Sequence, residues 1–154
     1  MSMGGGNPEL QELSQQLQEL DAQQEALETE IEALETEQAE ITEAVDALES
    51  LETDSTVQVP VGGGAYVRAT VDDIDEVVVN VGGGFAAELE RDDATSTLQT
   101  KRNTLSDRID EVEAEIDELE SEIDEVEQRA QQVQQQAQQQ AMQQLQQQQG
   151  NDEQ

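Results

Sequence analysis

Apolar residues recur at alternating spacings of three and four along two long stretches of the chain, one in each half. Such spacing, sustained over several heptads, is typical of helices that pack in a coiled coil. Gln24 and Gln38 interrupt the first seam, and polar seam residues often fix helix register. The first seam comprises Leu10, Leu13, Leu17, Leu20, Gln24, Leu27, Ile31, Leu34, Gln38, Ile41, Val45 and Leu48. The second comprises Leu98, Arg102, Leu105, Ile109, Val112, Ile116, Leu119, Ile123, Val126, Ala130, Val133 and Ala137.

Local residues predict where the first helix begins and ends. The segment Asn7-Pro8-Glu9 combines a capping asparagine, a proline suited to the first helical position and an acid in the first turn. We expect a flexible tail at 1–8 and a helix over 9–53 that ends near Thr53-Asp54-Ser55.

The second helix is predicted over 92–145. Either Asp92 or Asp93 can cap its start. Its heptads run into a glutamine-rich tract at 131–149, so at least the first half of that tract is expected to be helical. The remaining residues, 146–154, are predicted to form a disordered glutamine-rich tail.

Between the two helices lies a β-rich block at 57–90. It contains two glycine triplets, Gly62–Gly64 and Gly82–Gly84, each flanked by β-branched or aromatic residues. Glycine triplets suit tight turns, and the flanking residues suit strands, so the block predicts two tandem β-hairpins. The predicted strands are 57–61 with 65–71, and 76–81 with 85–89.

Two short hairpins bury little apolar surface, and isolated hairpins are marginally stable in water. Their outer strands also offer open edges that accept another chain's strand. We therefore predict that the block is an assembly module, in which hairpins from several subunits share one sheet or barrel. Its candidate contact residues are Val59, Val61, Tyr66, Val67, Val77, Val79, Val81 and Phe85.

The predicted fold is mostly α with a small β part. The two helices pair as a long antiparallel coiled-coil hairpin, and the tandem β-hairpins lie at its closed end and join an inter-subunit β-barrel. At the free end, leucines of the first helix face alanines of the second, which leaves an apolar patch suited to binding. The candidate residues of this tip are Leu10, Leu13, Leu17, Ala137, Ala141, Met142 and Leu145.

Charge narrows the possible partners. The formal net charge is −32, with six cations among 154 residues, so nucleic acid and anionic membranes would be repelled. A disordered acidic chain or a protein built for very high salt would both carry such a charge. The heptads argue against wholesale disorder, and acidic, lysine-poor surfaces are characteristic of proteins from salt-loving archaea.

The chain offers little catalytic chemistry. It contains neither cysteine nor histidine, so thiolate chemistry and the commonest general base are absent. The glycine triplets lack the P-loop ending and the dinucleotide fingerprint. The acidic loop at 72–76 lacks EF-hand spacing and is interpreted as a solvated turn. No cofactor, metal site or enzymatic activity is expected. The sequence also lacks a transmembrane run or signal peptide, which predicts a soluble, cytoplasmic protein.

The order helix, two tandem hairpins, helix, with the phrases Val59-Pro60-Val61-Gly62-Gly63-Gly64-Ala65-Tyr66-Val67 and Asn80-Val81-Gly82-Gly83-Gly84-Phe85-Ala86, resembles the alpha subunits of archaeal prefoldin. The resemblance covers almost the whole chain, and its specific part is the β-block. It implies a hexamer of two alpha and four beta subunits, joined through a double β-barrel. It also implies an ATP-independent chaperone that passes unfolded chains from coiled-coil tips to a group II chaperonin. The extreme acidity and the glutamine-rich tail depart from the family pattern.

The residues themselves also allow a structural protein, a coiled-coil scaffold or tether without client activity. An exposed apolar tip on an assembled particle would favour the chaperone, whereas a tip occupied by one fixed partner would favour the tether. An enzyme is the third alternative, and turnover of a small molecule would support it.

Overall fold

The computed structural model describes residues 7–152, with side chains described from 7 to 150. Two long helices enclose four short strands in chain order, which confirms the predicted class, mostly α with two small antiparallel hairpins. The elements are α1 (Pro8–Ser50), β1 (Thr56–Gly62), β2 (Ala65–Thr70), β3 (Val77–Gly82), β4 (Phe85–Leu89) and α2 (Arg91–Asp152). Of the flexible tail predicted at 1–8, residues 1–6 lie outside the described residues, and Pro8 belongs to α1.

The chain divides into two compact units. The hairpin unit spans Glu32–Asp110 and contains all four strands, and the terminal unit combines Met1–Ile31 with Glu111–Gln154. Buried side chains of the hairpin unit are Ile41, Val45, Ile74, Val79, Ala94 and Ile109, and those of the terminal unit are Leu13, Val112 and Val133. Most of them come from the predicted seam positions, so the heptad pattern identifies the core of both units.

Polar contacts fix how α1 and α2 run in the hairpin unit. Gln38 Nε2 donates hydrogen bonds to Ser106 Oγ at 2.7 Å and to the carbonyl oxygen of Arg102 at 3.2 Å. Arg102 Nη1 in turn donates to Thr42 Oγ1 at 3.2 Å. Partners later in α1 therefore meet residues earlier in α2, so the helices are antiparallel. Gln38 of the first seam and Arg102 of the second, both polar interruptions, meet in this polar layer.

The terminal unit has the same antiparallel sense. Arg129 Nη2 lies 3.0 Å from Glu9 Oε1, and Gln24 Nε2 donates to Glu120 Oε1 at 3.3 Å. Gln24, the other polar position of the first seam, is thus bonded across to α2. These contacts place the start of α1 level with the region of α2 around Arg129.

The start of α1 confirms the predicted cap. Asn7 Oδ1 accepts a hydrogen bond from the backbone N–H of Glu9 at 3.0 Å, and Pro8 occupies the first helical position. The predicted cap of α2 is wrong, because neither Asp92 nor Asp93 is the capping residue. The carbonyl of Glu90 accepts the first helical bond, from the N–H of Ala94 at 2.8 Å. Both aspartates lie in the first turn, where they stabilise the positive end of the helix dipole.

α1 ends at Ser50, so the end predicted near Thr53-Asp54-Ser55 is wrong. These three residues bond to the β-block instead. The N–H of Asp54 donates to the carbonyl of Val71 at 2.8 Å, and the N–H of Val71 donates to the carbonyl of Ser55 at 2.9 Å. Thr53 Oγ1 accepts from the N–H of Ile74 at 3.2 Å. Continuing the helix would remove these long-range hydrogen bonds.

α2 continues to Asp152, so the disordered tail predicted from 146 is wrong for residues 146–152, and residues 153–154 lie outside the described residues. Glutamine is a good helix former, and no proline interrupts this segment. Since extending an existing helix is far easier than nucleating one, the coiled-coil part of α2 supports this continuation.

The tight turns predicted at the glycine triplets are confirmed. In the first hairpin, Val59 pairs with Val67 and Pro60 with Tyr66, and a register shift follows Pro60. The two residues between the strands, Gly63 and Gly64, have φ values of 59° and 80°. Positive φ at both central positions is the type I′ geometry whose twist matches antiparallel strands. The second hairpin repeats the same turn and the same shift. Among the described residues, neither helix contains a stretch long and apolar enough to span a membrane.

The backbone conformation of Gly63 generates the first prediction. A Cβ added at Gly63 or at Gly150 meets nothing within 4 Å, but only Gly63 has a positive φ. Gly63→Ala should therefore lower the free energy of unfolding of the first hairpin by about 1–2 kcal/mol, whereas Gly150→Ala should not lower it. Tyr66, the only tyrosine in a chain without tryptophan, provides a fluorescence signal for denaturant unfolding of this hairpin. Equal transitions for both variants would contradict the assignment of the turn.

Acidic residues flank both seams, among them Glu28 and Glu35 in α1 and Glu113 and Glu122 in α2, and they generate the second prediction. The Debye length falls from about 10 Å at 0.1 M salt to about 3 Å at 1 M, so molar KCl should remove most repulsion between the helices. Helical circular dichroism and the melting temperature should both rise from dilute buffer to molar KCl. Replacing Glu28, Glu35, Glu113 and Glu122 by Gln should reduce the salt that is needed. A melting temperature that does not change with KCl would refute this explanation.

Candidate functional site

The first hairpin presents apolar side chains on both of its faces. Val59 and Val67, which pair across the strands, are 43% and 53% exposed. Tyr66, on the opposite face beside Pro60, is 62% exposed. Val61, at the register shift, is also exposed. A hairpin of this size with apolar residues on two faces lacks a core of its own.

The second hairpin packs one face inward and presents the other. Val79 is buried and Val77 is half-buried, while Val78 between them is 69% exposed. A hollow of about 420 Å³ lies between β3 and the helices, lined on the helical side by Ala44, Ala47, Leu48, Leu98 and Lys101. The side chain of Val79 is buried inside the unit, so we leave Val79 out of the candidate assembly surface, and Val77 is only partly available to a partner. Val78 is an exposed residue that the sequence analysis missed.

We define the hairpin surface as the exposed apolar residues of both hairpins. Each hairpin forms a two-stranded sheet, so every strand keeps one edge without a strand partner within the described part of the chain. Open strand edges beside exposed apolar side chains are a template for pairing with another chain. The hairpin surface comprises Val59, Val61, Tyr66, Val67, Val78, Val81 and Phe85.

The predicted tip residues of α1 do not lie open. Leu13 is only 8% exposed, and Leu10 and Leu17 are half-buried. The Glu9–Arg129 ion pair places this part of α1 level with a segment of α2 that carries valines as well as alanines. Val133, a seam valine of the same segment, is itself buried, so this part of the terminal unit is covered more fully than leucines facing alanines would be.

The predicted tip residues of α2 differ from those of α1. Ala137 is half-buried, Ala141 is exposed, and Met142 and Leu145 are 64% and 60% exposed. α2 continues about 34 Å past Arg129 at 1.5 Å per residue. We call residues 134–150 the α2 extension. Ala137, Ala141 and Leu145 follow one another at spacings of four, so they lie on one helix face, and Met142 adjoins that face.

The acidic side chains that the structure describes do not assemble a metal site. No group of three or more acidic residues there is arranged to hold a metal ion, and no described polar or charged side chain is buried. The acidic loop between the hairpins is a hydrogen-bonded turn. Asp73 Oδ1 accepts from the N–H of Asp75 at 3.0 Å, and the carbonyl of Asp73 accepts from the N–H of Glu76 at 3.1 Å. The chemistry that these residues offer is therefore apolar contact and strand pairing.

The chain is similar in sequence to known proteins. The chain is 68% identical over 109 residues to the prefoldin subunit alpha of Halobacterium salinarum, covering 71% of each chain. It is 59% identical over 111 residues to the prefoldin subunit alpha of Halorubrum lacusprofundi, covering 72% of this chain and 73% of the relative. Both relatives come from haloarchaea, in agreement with the high-salt interpretation of the acidic surface.

Solved structures of prefoldins are also similar to this chain. A filamentous PFD from Methanocaldococcus jannaschii, determined by cryo-electron microscopy, matches with a TM-score of 0.65 and 32% identity, covering 73% of this chain and 96% of the other. The prefoldin beta subunit from a Thermococcus strain matches with a TM-score of 0.56 at 21% identity, which supports the fold alone. A family model described as Prefoldin subunit matches residues 20–136. With the two helices, the tandem hairpins and these relatives in agreement, the chain belongs to the prefoldin family.

Proposed function

We propose that this chain is the alpha-type subunit of an ATP-independent chaperone that captures unfolded polypeptides and delivers them to a group II chaperonin. Its partners would be beta-like prefoldin subunits, four to every two alpha subunits, and its location the cytoplasm. The observation that carries this proposal is the exposed apolar face of the α2 extension, with Met142 and Leu145 largely accessible. An apolar face at this exposure is suited to holding non-native chains.

Assembly is assigned to the hairpin surface. The exposed valines and the two aromatic residues of the hairpins would gain burial against equivalent strands of other subunits. The unpaired strand edges would gain backbone hydrogen bonds in the same step. Closing several hairpins into a barrel satisfies both requirements, since a closed barrel has no edges.

Client binding is assigned to the α2 extension in place of the wider tip predicted from the sequence. Leu10 and Leu13 contribute to closing the terminal unit, whereas Ala141, Met142 and Leu145 remain accessible. Methionine is flexible and polarizable and adapts to varied partners. One short apolar face binds weakly, but several subunits in one assembly would raise the avidity without any tight single site.

The assembly proposal is tested on the Val59–Val67 pair. Val59→Ser with Val67→Ser should prevent association with beta-like subunits while leaving the helices folded, because the pair then offers no apolar area to a partner. Gln58→Ser with Arg68→Ser, a cross-strand pair on the opposite face, is the control. Co-purification and light scattering give the subunit ratio and the mass. An assembly of full size from the valine variant would reject the hairpin surface as the interface.

The client proposal is tested on the α2 extension. Met142→Ser with Leu145→Ser should weaken suppression of client aggregation several-fold, since it removes the two largest exposed apolar side chains of this segment. The oligomer should stay intact, and Gln143→Ser with Gln146→Ser is the matched control on the same helix. Undiminished suppression would place client binding elsewhere. If the assembly that contains the unaltered chain suppresses no client aggregation, the result would favour a scaffold or tether.

A further inference from the structure

The α2 extension differs in its charge from the other helical segments of the terminal unit. The chain has a net charge of −32, yet no charged residue occurs between Arg129 and Asp152. Glutamine fills most positions around the apolar face, and those from 138 onward are exposed. The extension is therefore an uncharged, amide-covered helix on a polyanionic protein.

The remainder of the terminal unit is strongly acidic. Its paired helical segments, 8–31 and 111–129, contain seventeen acidic residues and one cation, Arg129. Apolar surface in these segments has an acidic rim. A hollow of about 380 Å³ lined by Ala26, Leu27 and Leu119, for example, is bordered by Glu115, Glu118 and Glu122. A negatively charged chain that approaches this surface meets like charge at close range.

Building on the proposed function, we infer that the clients held by the α2 extension are acidic non-native polypeptide segments. A basic segment is attracted by the carboxylates of the whole surface and needs no uncharged site. An acidic segment is repelled by that surface. In the proposed assembly the hairpin surface is covered by other subunits, so the extension is where such a segment can reach exposed apolar side chains without meeting a carboxylate. The absence of charge therefore matters for one class of client, the acidic one.

The side chains around the apolar face suit this class chemically. Gln138, Gln144 and Gln149 lie next to or within one turn of Met142 or Leu145, and all three are exposed. An amide both donates and accepts hydrogen bonds, so it can bond to a client's backbone or to its carboxylates. A glutamate at the same place would only accept, and covering it with a client would cost its solvation. This contact cost persists in molar salt, where screening removes mainly the longer-range repulsion.

The experiment compares one client in two charge states. The client is reduced, unfolded lysozyme, either unmodified or with its lysines succinylated, so that the same sequence carries positive or negative charge. The variant is Gln138→Glu with Gln144→Glu and Gln149→Glu, in the full assembly. The matched control is Gln11→Glu with Gln15→Glu and Gln18→Glu, which adds the same charge to exposed positions of α1. Binding is measured at the lowest KCl concentration at which the parent, the extension variant and the control are all fully helical.

The extension variant should bind the succinylated client roughly fivefold more weakly than the parent, the size of one like-charge contact at close range in water. Its affinity for the unmodified client should be equal or higher, and the control should match the parent for both clients. Equal affinity of parent and extension variant for the succinylated client would overturn the inference, as would an equal loss in the control. If Met142→Ser with Leu145→Ser leaves both affinities unchanged, or the parent holds neither client, the proposed function itself fails.

Discussion

The apolar seam between α1 and α2 has to hold two helices together while acidic side chains flank it on both sides. Within the described part of the chain, Val112 is fully buried and Leu13, Ile41, Val45 and Ile109 nearly so. Burial of these side chains does not depend on ionic screening, whereas repulsion between the flanks does. The ion pairs of Lys101 with Glu37 and of Arg129 with Glu9 join the two helices, but they are exposed and contribute little. The net charge therefore sets the conditions under which the seam can close.

The polar contacts across the helices have a different role from the apolar ones. Gln38 bonds to Ser106 and to the backbone of Arg102, and Arg102 reaches Thr42, so four residues form one connected layer. A shift of one helix along the other would leave these groups facing apolar neighbours, which is costly for polar groups that are partly buried. The layer thus favours one antiparallel register. Within the hairpin unit, that register determines which residues of α2 face α1.

Sequence reasoning succeeded where the signal was local and repeated. Heptads predicted both helices, Asn7 predicted the first cap, and the glycine triplets predicted turns that require positive φ. It failed where the deciding contact was distant in sequence. The end of α1 depends on hydrogen bonds that join Thr53-Asp54-Ser55 to Val71 and Ile74. No local sequence pattern predicts these bonds. The candidate sites show the same limit, because three successive valines, 77–79, give no alternation from which to tell the buried face from the exposed one.

Separating the acidic seam from the uncharged extension gives the two parts of the chain different dependences on salt. Residues up to Arg129 carry the repulsion that salt must screen before α1 and α2 can pair. The residues from there to Gly150 carry none, so their apolar face does not change its charge environment when the helices close. Fold stability and the proposed client contact can then be varied independently, the first by carboxylates along the seam and the second by the residues that surround Met142 and Leu145. A chain whose extension were as acidic as its seam would need the same screening for both, and any fall in salt would weaken folding and binding together.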